Sequence, residues 1–254
     1  MIVLVPVYRP KDRLPRLVDD LAAALPAAHV VVVDDGSGPT AAEVLAAARD
    51  RGATVLRRRI NRGKGIVLKT GFRYAAIHHP GRDVVCVDAD GQHLIPDVVR
   101  VADRMRDTGT LTLGVRRFDG EVPLRSRFGN AATRAAFHLA TGRRVEDTQT
   151  GLRAYPAALL GWLGTVPGER FEYEMNVLLH AARAGGPITQ VGIATRYQAG
   201  NASSHFSSLT DSARIYRPLV RFAAARLFAA DRHSGDPAPD VVTSSHPRPA
   251  TRTP

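Results

Sequence analysis

The sequence predicts an α/β protein with a doubly wound, mostly parallel sheet and helices on both faces. Two observations support this fold class. In the first half of the chain, short apolar runs alternate with helical patterns of about 10 to 15 residues, an order typical of parallel sheets. The first run, Ile2–Val7, is apolar throughout, as expected for a strand that is buried on both faces.

The predicted elements follow one another regularly as far as residue 113. Strands are predicted at 2–7, 29–33, 53–56, 84–87 and 110–113, and helices at 12–25, 40–51, 66–78 and 96–107. The second half is less regular, with helices predicted at 128–140 and 171–185 and a last strand at 188–195. We therefore expect one domain at 1–210, an amphipathic basic helical segment at 211–230, and a disordered tail at 231–254.

The net charge narrows the choice of partners. The 254 residues carry a formal charge of +11, almost all of it from arginine, because the only lysines are Lys11, Lys64 and Lys69. Arginine suits phosphate groups, and a basic surface suits nucleic acids, anionic membranes or phosphorylated substrates. Abundant arginine is equally typical of a GC-rich genome. The single cysteine, Cys86, excludes a disulfide within the chain, and no apolar run is long enough to cross a bilayer.

Polar residues stand where three of the predicted strands end. Tyr8 follows the first strand, Asp34 and Asp35 follow the second, and Asp88 and Asp90 follow the fourth. The carboxyl ends of parallel strands meet at one edge of a sheet, where ligands of α/β proteins bind. We therefore expect these residues to line one site large enough for a nucleotide, although each acidic pair is also typical of an ordinary turn.

The stretch Asp88-Ala89-Asp90-Gly91-Gln92-His93 is the centre of this predicted site. If the chain stays extended here, side chains two residues apart point to the same side, and both carboxylates lie together. Two carboxylates and the Gln92 amide form a hard oxygen site for Mg²⁺ or Mn²⁺, and Gly91 allows a close approach of the backbone to a ligand. The alternative is a pair of turn-forming residues ahead of the next helix.

Five short motifs, in this order along residues 1 to about 210, resemble those of the family 2 glycosyltransferases. The sequence is similar to the dolichol- and polyprenyl-phosphate branch of that family, which has the GT-A (Rossmann-like) fold. The motifs are Val5-Pro6-Val7-Tyr8, Val32-Val33-Asp34-Asp35-Gly36-Ser37, Asn61-Arg62-Gly63-Lys64-Gly65, Asp88-Ala89-Asp90-Gly91-Gln92-His93 and Asp147-Thr148-Gln149-Thr150-Gly151-Leu152-Arg153. One departure is Arg9, where many relatives have asparagine.

The resemblance implies roles for the matched residues. It places Pro6, Tyr8, Asp35, Lys64 and Asp88 on a nucleotide-sugar donor, with Tyr8 against the base and Asp35 accepting a hydrogen bond from it. It places a divalent metal on Asp88, Asp90 and Gln92. It directs Arg116 and Arg127 towards the phosphate of a lipid acceptor. The catalytic residues implied are Asp88, Asp90 and Asp147.

Charge considerations separate two classes of acceptor. A lipid phosphate is already largely anionic at neutral pH, since its second pKa is about 6, and it needs positioning by arginines more than deprotonation. A hydroxyl acceptor needs a general base, for which Asp147 is the first candidate. Lys64, Asp147, Glu172 and Glu174 also have a simpler interpretation, as residues that begin or cap helices and turns.

The predicted function is metal-dependent transfer of a hexose from a nucleotide-diphosphate sugar to a polyprenyl or dolichyl phosphate, with the inversion that the resemblance implies. The expected partners are that donor, that acceptor and a membrane surface, with a separate integral membrane partner as an option. We expect a cytoplasmic protein associated peripherally with the inner face of the membrane. The alternatives are a hydroxyl acceptor or a basic nucleic-acid-binding protein, although the recognition motifs of the latter are missing.

Overall fold

The computed structural model describes residues 1–116 and 124–194, together with 219, 220 and 222, and the side chains of 124–129 fall outside this description. Strands are found at Ile2–Val7 (β1), His29–Asp34 (β2), Thr54–Arg57 (β3), Val84–Cys86 (β4), Leu111–Arg116 (β5), Arg153–Tyr155 (β6) and Ile188–Ile193 (β7). Helices are found at Arg13–Ala24 (α1), Ala42–Asp50 (α2), Lys64–His78 (α3), Ile95–Thr108 (α4), Leu124–Thr141 (α5), Leu160–Thr165 (α6) and Glu172–Arg183 (α7).

The seven strands form one mixed sheet in the order β3-β2-β1-β4-β6-β5-β7. Strands β1 to β4 pair in parallel, as do β5 and β7, whereas β6 runs antiparallel to both of its neighbours. The predicted mostly parallel sheet is therefore confirmed. Strand β6 was not predicted, and it places the carboxyl end of β5 at the same edge as that of β4.

The two faces of the sheet carry separate cores. Along β1, Ile2 and Leu4 pack into one cluster with side chains of α3, α6 and α7, and Val3 and Val5 pack into the other with side chains of α1, α2 and α4. This alternation follows from the period of two along a strand. It explains why β1 is apolar at every position, and it confirms helices on both faces.

The segment 211–230 is described at only three positions. Leu219 is 1% exposed and joins the core that contains α7, and the Phe222 ring lies 5.2 Å from that of His180 on α7. Leu219 and Phe222 therefore pack against the domain, and contact of the segment 211–230 with a membrane stays a prediction. The loop around Ser204 and His205 and the tail at 231–254 lie outside the described residues. In the part of the chain described, no helix has the length and apolar character needed to cross a membrane.

Candidate active site

The carboxyl ends of β1, β2 and β4 lie side by side, because β1 is hydrogen-bonded to both other strands in parallel. The end of β1 therefore lies between the end of β2, with Asp34 and Asp35, and the segment after β4 that carries Asp88. Arg116, the last residue of β5, lies at the same edge. The predicted juxtaposition of these strand ends is confirmed by the sheet order.

Asp35 is buried and holds the loop that precedes α3. Its two carboxylate oxygens accept hydrogen bonds from the backbone N–H groups of Arg62 (2.9 Å) and Gly63 (2.7 Å). Each carboxylate oxygen can accept a further hydrogen bond. Asp35 is thus a structural anchor for the start of α3, and it keeps the capacity to accept a hydrogen bond from a ligand.

Asp34 stabilises the turn that follows β2. Its carboxylate accepts hydrogen bonds from the backbone N–H and the hydroxyl of Ser37, and it forms an ion pair with Arg57 at 3.3 Å. The Ser37 hydroxyl in turn accepts a hydrogen bond from the backbone N–H of Arg9 at 2.7 Å. The turn-forming interpretation is therefore correct for Asp34, whereas Asp35 has a longer-range role.

Arg9 adopts a left-handed backbone conformation, with φ of 50°. Asparagine tolerates this region much better than arginine does, because its short polar side chain forms local hydrogen bonds there. The strain gives a physical reason for the asparagine that many relatives have at this position. The Arg9 guanidinium lies over the Tyr8 ring, 5.2 Å from its centroid.

Lys64 is the first residue of α3 and bridges two carboxylates. Its Nζ lies 2.8 Å from Asp88 Oδ1 and 2.9 Å from Glu174 Oε2. Burial alone would lower the pKa of Lys64, but the two carboxylates outweigh burial and hold the pKa above its usual range. Lys64 is therefore a permanent cation at the centre of the site, with a more specific position than a simple helix start requires.

Asp88 and Asp90 do not share one extended segment. The strand ends at Cys86, and a turn at Ala89 and Asp90 follows, in which the Asp90 carboxylate accepts a hydrogen bond from the backbone N–H of Gln92 at 3.0 Å. The condition of an extended chain is not met, and the turn-forming alternative describes this backbone, which bends to form the local hydrogen bond. The two carboxylates nevertheless remain near enough to influence each other.

The two carboxylates have opposite electrostatic environments. Burial opposes ionisation of Asp88, but Lys64 and the nearby His93 outweigh it and hold the pKa of Asp88 well below its usual range. The pKa of Asp90 is raised, first by burial and then by the negative charge of Asp88. A cation placed beside Asp90 would oppose both effects and stabilise its ionised form.

The oxygen atoms of this loop could supply part of the coordination shell of a divalent cation. Asp88, Asp90 and Gln92 offer hard oxygen ligands of the kind that Mg²⁺ and Mn²⁺ prefer. Across the ranges described, no cluster of three or more His, Cys, Asp or Glu side chains is arranged to hold a metal ion. Two carboxylates and one amide would leave the other coordination positions of such a cation to water or to substrate phosphates.

Arg116 and Asp147 form a bidentate ion pair at the end of β5. Arg116 Nε and one terminal nitrogen donate to the two oxygens of Asp147, at 2.5 and 3.0 Å. Asp147 is fully buried and also accepts hydrogen bonds from the backbone N–H groups of Gln149 and Arg116. Four donors leave this carboxylate poorly placed to remove a proton, and its contacts favour the role of orienting Arg116.

Gly151 lets the next turn touch Asp88. A Cβ atom at Gly151 would lie 2.5 Å from Asp88 Cγ and 2.8 Å from its Oδ1, and closer still to its Oδ2. The turn that carries Asp147 and Gly151 therefore packs directly against the carboxylate predicted to hold a metal. A side chain at this position would overlap the Asp88 carboxylate unless Asp88 or the turn moved.

Two charged residues of the site were not predicted. Arg153 is fully buried at the start of β6, and Glu174, interpreted above as a simple helix-start residue, is 8% exposed and contacts both Lys64 and Arg153. The one available signal for Arg153 was its place in the fifth quoted motif. Arg127 lies on α5, but its side chain is outside the described residues, so its predicted contact with an acceptor stays a prediction.

The solved structures show which class of protein has this architecture. The chain superimposes on glucosyl-3-phosphoglycerate synthase from Mycobacterium tuberculosis, crystallised with Mn²⁺, UDP and glucosyl-3-phosphoglycerate, with a TM-score of 0.60. The match covers 89% of this chain and 78% of that one at 20% identity, and it shows the fold alone. The fold is that of the GT-A glycosyltransferases.

Sequence comparison then gives the family. Residues 2–160 match the model of glycosyl transferase family 2, and the chain belongs to that family. It is 27% identical over 202 residues to polyprenol monophosphomannose synthase of Mycolicibacterium smegmatis, covering 76% of each chain. It is 28% identical over 202 residues to undecaprenyl-phosphate mannosyltransferase of Micrococcus luteus, covering 76% of this chain and 82% of that one. The resemblance inferred from the five motifs is confirmed.

Proposed function

We propose that this glycosyltransferase moves a hexose from a nucleotide-diphosphate sugar to a polyprenyl or dolichyl phosphate, with inversion and with Mg²⁺ or Mn²⁺. One observation carries the choice of acceptor, namely the ion pair between Arg116 and Asp147. The pair fixes an arginine at the edge where the donor residues converge, and it occupies the carboxylate that a hydroxyl acceptor would need as a base. The names of the two mannosyltransferase relatives support the same acceptor class.

The donor side is formed by the ends of β1, β2 and β4. Tyr8 offers an aromatic face for the base, with Pro6 behind it in β1, and the Asp35 carboxylate can accept a hydrogen bond from the base. Lys64 lies at the first turn of α3, where backbone N–H groups and the helix dipole also favour phosphate. These groups together hold a nucleoside diphosphate with its phosphates towards Asp88.

Asp88, Asp90 and Gln92 would hold the divalent cation beside those phosphates. When bound, the cation neutralises the charge that develops on the leaving diphosphate. Asp90 is the better indicator of this role, because burial and the negative charge of Asp88 raise its pKa and a cation would oppose both effects.

On the acceptor side, the proposed chemistry is a single displacement. An oxygen of the lipid phosphate attacks the anomeric carbon, the bond from that carbon to the donor phosphate breaks, and the nucleoside diphosphate leaves with the electron pair. The attacking oxygen is already anionic, so no residue has to remove a proton. Arg116, oriented by Asp147, and Arg127 would place the phosphate in line with the breaking bond.

An acceptor panel tests the proposal. The chain is incubated with UDP-glucose or GDP-mannose, with Mn²⁺ or Mg²⁺, and with one of three acceptors: undecaprenyl phosphate, undecaprenol or 3-phosphoglycerate. We expect sugar transfer only to undecaprenyl phosphate. Transfer to undecaprenol would support the hydroxyl-acceptor alternative, and transfer to 3-phosphoglycerate would contradict a lipid acceptor.

Replacement of Arg127 by alanine is expected to weaken acceptor binding. A charge-assisted hydrogen bond contributes about 1.5–3 kcal/mol, so the KM for undecaprenyl phosphate should rise by about 10- to 150-fold. The matched control is Arg134→Ala on the same helix, because Arg134 forms an exposed ion pair with Glu146 at 2.7 Å. A rise confined to the KM for the nucleotide sugar would place Arg127 on the donor instead.

A lipid acceptor also requires contact with a membrane. Because Leu219 and Phe222 pack against the domain, we propose that attachment through the segment 211–230 is electrostatic and depends on Arg214, Arg217 and Arg221. Each basic residue near an anionic surface contributes about 1 kcal/mol. This attachment is reversible and weakens as salt screens the charges.

Vesicle flotation measures this attachment. Substitution of Arg214, Arg217 and Arg221 by glutamine should reduce binding to vesicles rich in phosphatidylglycerol by about 100-fold at low salt. The control carries the same charge change at exposed arginines of the domain, with Arg49, Arg73 and Arg104 replaced by glutamine. Equal loss in both variants would mean that only net charge matters and would contradict a specific segment.

A further inference from the structure

Glu174 occupies a position that the proposed reaction has not yet used. It lies in the first turn of α7, is 8% exposed, and directs its carboxylate towards two cations. Its Oε2 lies 2.9 Å from Lys64 Nζ, and its Oε1 lies 3.7 Å from Arg153 Nε. We propose that Glu174 is a positioning residue that holds Lys64 in place for the donor phosphates, an inference that rests on the proposed function.

The Arg153 side of Glu174 is built as a rigid support. The Arg153 guanidinium is completely buried and donates hydrogen bonds to three backbone carbonyls, those of Thr148 (3.0 Å), Thr150 (2.8 Å) and Glu174 itself (2.7 Å). These bonds fix the turn that places Gly151 against Asp88. The Glu174 carboxylate also compensates the charge of the buried guanidinium, so it has a second cationic neighbour besides Lys64.

The Lys64 side needs such a support because a lysine side chain is long and flexible. In the described part of the chain, the ion-pair partners of Lys64 are Asp88 and Glu174. Asp88 is also a proposed ligand of the cation, and its negative charge must be shared when that cation binds. Glu174 then becomes the partner that keeps the Lys64 ammonium beside the donor phosphates. Loss of Glu174 removes this second attachment and leaves the ammonium free to change its position.

The test combines two substitutions of Glu174 with one of Lys64. Glu174→Gln removes the charge, and Glu174→Asp keeps a charge near Arg153 but shortens the reach to Lys64 by one methylene. Each should lower kcat/KM for the nucleotide sugar by about 10- to 100-fold, the usual effect of removing a residue that orients a ligand-binding group. The KM for the lipid phosphate should stay the same. Lys64→Met should lower kcat/KM at least as much.

Double-mutant coupling distinguishes positioning from a merely structural role. If Glu174 acts through Lys64, adding Glu174→Gln to Lys64→Met should reduce kcat/KM by less than about threefold further. Binding of UDP and GDP by calorimetry should weaken in the same pattern, which gives a readout besides turnover. The control is Glu172→Gln on the same turn of the helix. The Glu172 carboxylate accepts hydrogen bonds from the backbone N–H groups of Glu169 and Arg170.

The outcomes separate the two proposals. Full additivity in the double variant, or normal donor kinetics in Glu174→Asp, would overturn the role of Glu174 while leaving the transferase function intact. If Glu174→Gln fails to fold because Arg153 loses its counter-charge, Glu174→Asp decides the question. Absence of transfer by the unsubstituted chain to every acceptor would contradict the proposed function itself.

Discussion

Asp90→Asn should abolish most metal-dependent transfer without unfolding the protein. The substitution removes a carboxylate that the protein itself compensates poorly, as its raised pKa indicates. Lewis-acid stabilisation by a divalent cation amounts to several kcal/mol, so a fall in kcat of at least about 100-fold is expected at saturating Mn²⁺. The fold should be unaffected, because an asparagine oxygen can still accept the hydrogen bond from the backbone N–H of Gln92.

Thermal unfolding provides the independent check of this prediction. In the presence of UDP, Mn²⁺ at 100 times its Kd should stabilise the unsubstituted protein by about 2.7 kcal/mol, and the Asp90→Asn variant should lose most of that gain. Asp97→Asn is not a suitable control, because Asp97 is buried and bonded to Arg100 and Ala194. Asp103→Asn on the exposed face of α4 is suitable. Unchanged turnover of the Asp90→Asn variant would exclude Asp90 as a ligand.

Gly151→Ala should be nearly as damaging, although it adds only one methyl group. The new Cβ would overlap the Asp88 carboxylate, since it would lie 2.5 Å from Asp88 Cγ. Either Asp88 or the turn at Gly151 must move, and a displacement of about 1 Å in a reacting site can cost about 100-fold in rate. We expect this loss in kcat, measured with the nucleotide sugar and undecaprenyl phosphate at saturation.

The control for Gly151→Ala is Gly161→Ala. A Cβ at Gly161 meets no atom within 4 Å, and the residue lies in α6, where alanine is favoured over glycine. This variant should be fully active and at least as stable as the unsubstituted chain. Full activity of Gly151→Ala would show that Asp88 moves without consequence, and its proposed contact with the cation would then be wrong.

Much of the fold could be predicted because its signals are local. The apolar run of β1 and the helical spacing of α1 and α4 each depend on residues within a single element. The missed strand β6 has only three residues, Arg153–Tyr155, and begins with an arginine. A sequence pattern assigns arginine to the surface, whereas here three carbonyls and Glu174 make its burial possible.

The candidate site was predicted where a motif names its residues and missed where partners come from distant parts of the chain. Tyr8, Asp35 and Asp88 end neighbouring parallel strands, so a topological rule brings them together. Lys64 and Glu174 meet only because α3 and α7 pack on the same face of the sheet. The bend after Asp88 agrees with the turn kept as the alternative, because the alternation of side chains describes a strand and the strand has already ended at Cys86.

The double use proposed for Asp35, on the nucleotide base and on the loop before α3, has a consequence for attempts to change which nucleotide the enzyme accepts. The most direct way to alter base preference is to replace the residue that contacts the base. Here the same carboxylate anchors the amides of Arg62 and Gly63, immediately before the lysine proposed to hold the phosphates. Most variants in a library at Asp35 would therefore fail because the phosphate-binding lysine is displaced, whatever their base preference. Base preference is better altered through Tyr8 and Arg9, because substitutions there leave the Asp35 anchor in place.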